Sequence, residues 1–310
     1  MMQRREVLSG SLALAAAVSL RARSARAQPA AGIYRWKVGA VAVTVLSDGA
    51  MDLPPSLLLP GRDAAAIADV FGRQGRTFAG LRSEINVAIV ETGNDVILID
   101  TGGGPDYMPT LGKLSGRLEA AGIKPEAMTK VVFTHAHPDH LWGTIDPFGG
   151  ETLFVNAEHL MTTVERDFWL QDDVTSRVPE PFRGMAAGTH RRMKDLAERI
   201  GPGKAGTEVA PGVQVVDTSG HTPGHVSVLV RSGSEQLLIG GDVLVQDVIS
   251  FAEPGWQWGT DMDAEKAAAS RRRILDQLAA ERTVLLGYHL PWPGIGHVER
   301  HGTAYRFVAA

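Results

Sequence analysis

The chain has 310 residues, with 31 Lys and Arg against 35 Asp and Glu, a formal net charge of -4 and no cysteine. That balance gives no electrostatic case for nucleic acid or an anionic membrane surface as a partner. Without cysteine, disulfides and thiolate metal sites are excluded, so any metal must be held by His, Asp and Glu.

The chain opens with Arg4 and Arg5 ahead of an apolar run from Val7 to Leu20, followed by Ser24, Ala25, Arg26 and Ala27. Basic, apolar and small-residue regions in that order form an export signal, and the paired arginines suit the twin-arginine route. Residues 1–27 are therefore expected to be that signal, and residues 28–310 the mature domain. This places the protein in the periplasm or outside the cell. No second long apolar run follows, so stable membrane insertion is not expected once the signal is removed.

Residues 38–49 alternate and end in a turn, which predicts a strand and hairpin. Residues 62–73 read as a short helix. INVAIVETGNDVILIDTG (85–102) reads as two strands around a Gly-Asn-Asp turn. A helix is expected over 108–122, stopped by Gly122. KVVF (130–133) is a short apolar strand. A helix is expected over 157–170 and another within 189–200. Strands follow at 213–218, 226–231 and 236–242. A helix capped by Asp263 covers 263–281, and a last strong strand runs over 283–289. In each half a strand leads through a helix to a second strand, as VILIDTG to KVVFTHAHPDH and QLLIGGD to TVLLGYH. Such a repeat suits two sheets packed together with helices outside, in one domain.

Chemistry gathers at the strand ends. THAHPDH packs His135, His137, Asp139 and His140 into six positions after an apolar strand, and a hydrophobic core has no use for that many imidazoles. His221 lies in SGHTPGH, Asp242 ends QLLIGGD, and His289 ends TVLLGYH. His135, His137 and His221 can supply one tetrahedral metal site with an open position. Asp139, His140 and His289 can supply a second, and Asp242 can bridge the two. Asp139 and Asp242 are the candidate proton carriers. His225, four residues beyond His221, is expected to orient Asp242 or another ligand by an outer hydrogen bond. Phe168, Trp169 and Trp292 are candidates for an aromatic pocket mouth, with Trp256 and Trp258 weaker ones. His159, His190 and His301 lie in polar segments and are expected to be exposed, and His297 is read as structural. No Gly-x-Ser-x-Gly elbow or Gly-rich phosphate loop with Lys is present.

THAHPDH, SGHTPGH, GGDVL and LLGYH resemble the metal motifs of the metallo-β-lactamase-fold hydrolase superfamily over essentially the whole mature chain. The resemblance implies an α+β fold, a four-layer αββα sandwich with two metals at one edge. It also implies that Asp100, at the end of VILIDTG, orients the metal-binding loop. VTVLSDGAMDLP, INVAIVETG, PTLGKL, RDFWL and HLPWPGIGH are similar to segments of methyl parathion hydrolase and its exported relatives, with Trp292 where those carry Phe.

The expectation is a binuclear metal-dependent hydrolase, with a metal-bridged hydroxide attacking an organophosphate triester or a lactone. The cofactors are two divalent ions, zinc by default, with manganese, cobalt or iron also compatible with an all-N/O site. A thioester or β-lactam substrate, an iron-dependent redox or sulfur dioxygenase-type protein on the same fold, and a non-catalytic metal binder are the alternatives. The expected partner is a small-molecule substrate, and a homodimer is a permitted assembly.

Overall fold

The computed structural model describes residues 31–146 and 150–310. The export signal expected over residues 1–27 lies outside them. Among the described residues, no helix is long and apolar enough to cross a membrane.

Two seven-stranded sheets carry the fold. The first runs in chain order: β1 (Ile33–Val38), β2 (Val41–Leu53), β3 (Leu81–Thr92), β4 (Asp95–Ile99), β5 (Lys130–Val132), β6 (Glu158–Thr162) and β7 (Ile200–Gly203). β1 to β4 pair antiparallel, and β4 to β7 pair parallel. The second holds β8 (Glu208–Ala210), β9 (Val213–Asp217), β10 (Val226–Ser232), β11 (Glu235–Ile239), β12 (Val284–Leu286), β13 (Ile295–His301) and β14 (Ala304–Ala309). Only β11 and β12 pair parallel there.

The alternation of side chains along a strand explains the layering. Ile97 and Ile99 of β4 pack between the sheets with Leu237 and Ile239 of β11, Val228 and Val230 of β10, and Leu286 of β12. Their neighbours point outward: Leu98 packs in the outer core of the first sheet, and Leu229 and Leu238 pack against Ile274, Leu275 and Leu278 of helix Ala264–Glu281. Strands buried on both faces read as continuous apolar runs. Each such fully buried aliphatic side chain contributes roughly 1.5–3 kcal/mol through burial. The result is an α+β four-layer αββα sandwich, as the family resemblance implies, and the strand–helix–strand repeat is present: β4 reaches β5 through helix Leu114–Ala121, and β11 reaches β12 through helix Ala264–Glu281.

Helices Ala64–Arg73 and Ala264–Glu281 fall where the sequence places them, and Asp63 and Asp263 accept from Ala66 N and Lys266 N as N-caps. Three expectations need correction. The helix expected over 108–122 occupies only Leu114–Ala121, because the preceding backbone wraps the buried Asp48 carboxylate, which accepts from Gly103 N, Gly112 N and Leu114 N. The helix expected over 157–170 splits into β6 and helix Thr163–Trp169. The helix expected within 189–200 spans Arg183–Leu196.

Candidate metal centre

Every candidate ligand hangs from a turn that follows a strand. β5 leads into the turn bearing His135 and His137 and into the short helix Pro138–Leu141, which carries Asp139 and His140. His221 lies between β9 and β10, Asp242 follows β11, and His289 follows β12. All are buried. Their ligand atoms form two groups: His135, His137, His221 and Asp242, and Asp139, His140 and His289. Within each group those atoms lie within 4.8 Å of one another. Asp242 faces both groups, with Oδ2 3.2 Å from His221 Nε2 and Oδ1 3.0 Å from His140 Nε2 and 3.2 Å from His289 Nε2.

The outer hydrogen bonds fix which ring nitrogen faces inward. His140 donates Nδ1–H to Asp100 Oδ2 at 2.8 Å, His221 donates Nδ1–H to Asp261 Oδ1 at 3.1 Å, and His289 donates Nδ1–H to the Glu84 carbonyl at 2.9 Å. In the neutral form of each ring this leaves the lone pair on Nε2, where a metal would take it. Asp100 sits at φ 61, an uncommon conformation for a residue with a Cβ. There its carboxylate also accepts from Thr134 N and Thr134 Oγ1 at the start of the histidine turn. His225 Nε2 accepts the Asp242 backbone N–H at 2.9 Å, while its Nδ1–H donates to Thr218 O. Tyr288 stacks on His140 with ring centroids 4.0 Å apart and donates its hydroxyl to the Asp139 carbonyl.

The donors fit divalent cations. His135 Nε2 is buried and makes no hydrogen bond, a costly state for a polar atom that nothing binds, and His140 Nε2 and Asp242 Oδ1 face only each other and the other candidate ligands. The electrostatics agree. Burial and the crowding of neighbouring imidazoles hold His135 and His137 well below the usual histidine range. Burial works against the His221 imidazolium too, but Asp242 and Asp261 outweigh it and push the group up to about 9. Asp242, with Asp139, similarly raises His140 and His289 against burial. Burial would raise Asp242, yet His289, His140 and His221 hold it well below the usual carboxylate range. The anionic Asp242 thus draws positive charge into a set of soft nitrogen donors, a role a metal fills with more charge and better geometry.

Three buried groups escaped the sequence reading. Glu165 accepts four hydrogen bonds inside the protein. Asp261 holds His221 and is itself paired with Arg271 at 3.1 Å. Glu165 sits at the third position of helix Thr163–Trp169 in Thr162-Thr163-Val164-Glu165, which reads as an ordinary capping box. Arg271 sits in a run of three arginines whose other members are exposed.

A cavity of about 860 Å³, counting its open mouth, reaches the centre and is floored by His137, Asp139, Asp242 and His289. The pocket expectation needs correction. Trp258, one of the weaker candidates, does line the cavity, with Tyr107 and Phe182, whereas Phe168, Trp169, Trp256 and Trp292 are not among the lining. Trp169 is fully buried beneath His137, ring centroids 5.9 Å apart, and Phe168 packs against the same core. Trp292 packs against the core between the sheets. Another cleft, between β5–β7 and β8–β10, is lined by neither His nor Asp. His159 is buried rather than exposed, bonded to Thr152 Oγ1 and the Ala157 carbonyl. His190 is half-buried and bonded to the Trp169 carbonyl, while His297 and His301 are exposed on β13.

A four-layer sandwich with paired His and Asp sets at its strand ends has the build of a metal-dependent hydrolase. The chain belongs to the Metallo-beta-lactamase superfamily, whose sequence pattern matches residues 81–289. Among solved structures it is similar to AidC, a dizinc quorum-quenching lactonase in complex with a product, at a TM-score of 0.83 and 26% identity, covering 90% of this chain and 97% of that one. It is similar also to the hydrolase AbOPH of the beta lactamase superfamily, at a TM-score of 0.83 and 28% identity over 91% of this chain and 99% of that one. Among curated proteins, the uncharacterized protein YobT of Bacillus subtilis (strain 168) is 28% identical over 207 residues, 65% of this chain and 82% of YobT. An N-acyl homoserine lactonase of a Bacillus sp is 25% identical over 175 residues, 56% of this chain, which spans 60% of that lactonase's length.

Proposed function

We propose that the protein hydrolyses an uncharged lactone at a binuclear metal centre. The observation that carries this reading is the character of the cavity. Above the His and Asp floor its walls are mostly apolar, with Leu58, Tyr107, Phe182, Met185, Val245 and Trp258 beside the hydroxyls of Ser83 and Thr260, and among the described residues no Lys or Arg lines it. A substrate bearing a carboxylate, such as a β-lactam, or a large anionic thiol carrier would find no side-chain cation there. A neutral ring ester with an apolar arm suits such walls. The likeness to AidC and to the Bacillus lactonase supports a lactone, N-acyl homoserine lactones first. The resemblance of several segments to methyl parathion hydrolase supports a phosphotriester as a second reading.

His135, His137 and His221 would hold one cation and Asp139, His140 and His289 the other, with Asp242 between them. Two bound divalent ions, zinc by default, supply polarisation of a substrate oxygen and a lowered pKa for water. The protein's own part is positional. Asp100, Asp261 and the Glu84 carbonyl keep three Nε2 lone pairs aimed inward. The apolar walls exclude bulk water, which strengthens the field of Asp242 and Asp139. Both carboxylates face the cavity and can take a proton at an Oδ atom and return it to the leaving oxygen.

The test is a panel of lactones, phosphotriesters, thioesters and β-lactams, run on metal-free and zinc-loaded protein with His137→Ala as control. Zinc-dependent turnover that is highest on lactones and nearly lost in the variant is expected. Equal turnover without metal, or iron-dependent oxidation in place of hydrolysis, would sink the reading. We also propose periplasmic or secreted placement, on the composition of residues 1–27. Finding the unprocessed chain in the cytoplasm of its host would oppose that.

A further inference from the structure

We propose that Glu165 is a positioning residue that fixes the gap between the His135–His137 turn and the His221 loop. It thereby governs cation retention at the His135, His137 and His221 group, and not at the Asp139, His140 and His289 group. The inference rests on the metal-centre reading above and deepens it.

The two oxygens of this carboxylate are divided between two segments. Oε1 accepts from Ala136 N at 3.1 Å, the amide between the two histidines, and from Trp169 Nε1 at 2.7 Å. Oε2 accepts from Thr222 Oγ1 at 2.7 Å and from Gly224 N at 2.9 Å, both just beyond His221. One rigid group, itself fully buried, therefore ties together loops far apart in the chain, His137 and His221 being separated by 84 positions. Across that joint, His137 Nδ1 and His221 Nε2 are 3.0 Å apart.

The helix start adds a second tie. Thr162 Oγ1 caps the helix at Glu165 N and donates to the Gly224 carbonyl at 2.8 Å. A Cβ on Gly224 would lie 2.3 Å from Glu165 N, so the loop lies closer to the helix than any side chain would allow. The remaining group is braced by other residues: Asp100 on His140, the Glu84 carbonyl on His289 and Tyr288 on the Asp139 carbonyl. Glu165 does not line the cavity, so it acts through the histidines and not on substrate.

Glu165→Gln keeps the shape but turns one oxygen into an N–H₂ group that faces two donors. With the amide nitrogen in the Oε1 place the bonds from Ala136 N and Trp169 Nε1 are lost; in the Oε2 place the bond from Gly224 N is lost, while the Thr222 hydroxyl can turn to accept. Losing an outer partner of this kind costs about 10- to 100-fold in metal affinity.

The experiment titrates metal-free protein with zinc against a chromophoric chelator, in wild type, Glu165→Gln and Thr222→Val. Two tight sites are expected in wild type. Glu165→Gln should keep one and weaken the other by about 10- to 100-fold. Combined with His137→Ala it should show little further loss, and combined with His289→Ala it should lose both tight sites. Thr222→Val removes one donor without burying an amide, and a several-fold loss at the same site is expected even if Glu165→Gln does not fold. Equal weakening of both sites, or two sites of unchanged affinity in Thr222→Val or in folded Glu165→Gln, would overturn the proposal. A wild type that binds two cations but turns over no ester sinks the hydrolase reading and leaves this one standing.

Discussion

His221 donates Nδ1–H to Asp261 at 3.1 Å, and the other oxygen of Asp261 accepts from Arg271 at 3.1 Å, with all three side chains buried. Arg271 gives three further donors to the carbonyls of Val243, Pro254 and Trp256. The chain of contacts fixes both the tautomer and the direction of the His221 ring. Asp261→Asn removes the charge that anchors this array and leaves Arg271 uncompensated, a loss of about 3–5 kcal/mol. Adding Arg271→Met should restore much of the stability and little of the zinc affinity. Thermal melts and zinc titration on both variants separate the two effects, and recovery of both together would contradict the orienting role.

Metal removal should lower stability. The ligands come from turns distant in sequence, so the folded chain alone presents them together. With metal at about 100 times its dissociation constant, the bound state gains about 2.7 kcal/mol per site. A chelator should shift the melting temperature down by several degrees and zinc should restore it. Identical melts with and without chelator would argue that the donors do not hold metal.

Metal binding should release protons. In the metal-free protein His221 is pushed up to about 9, mainly by Asp242 working against burial, and His140 and His289 are raised as well. A histidine with a raised folded pKa contributes stability that is complete below its unfolded value, near 6.5, and is lost as pH climbs through the folded one. The metal-free protein should therefore lose stability between about pH 7 and 9. Zinc affinity should rise over the same window, because cations and protons compete for the same lone pairs. Titration calorimetry in two buffers of different ionisation enthalpy reads the released protons directly. No buffer dependence near pH 7 would refute the assignment.

The cavity walls should set chain-length preference. Phe182 and Met185 line the cavity, and neither is among the candidate ligands. Truncating Phe182 to Ala should lower kcat/KM for long-chain lactones by roughly tenfold through KM, and affect short-chain substrates little. Equal losses on both would place the apolar arm of the substrate elsewhere.

Much of the centre is legible in the sequence because its donors stand directly after short apolar strands, where a run of imidazoles has no structural use. The sandwich is legible through the family resemblance of the metal motifs, and the repeated strand–helix–strand unit only suits it. The supporting groups are not, and the reasons are physical. Glu165 occupies a position where a helix ordinarily places a solvated capping carboxylate, and only tertiary contact turns it inward. Arg271 differs from its exposed neighbours Arg272 and Arg273 only in helical phase. β6 is too short for its period to be told from the helix that follows, which also hides the burial of His159. Trp169 was visible as an aromatic, but which way it faces depends on Glu165 accepting its indole N–H.

Four of the candidate donors descend from the first sheet and three from the second. A cation pair seated among them would act as a rivet through the seam of the sandwich, drawing together halves that otherwise meet mainly through aliphatic packing. Neither half on its own could assemble the centre, so catalytic competence would arrive as the last event of folding and be the first property forfeited when the seam opens.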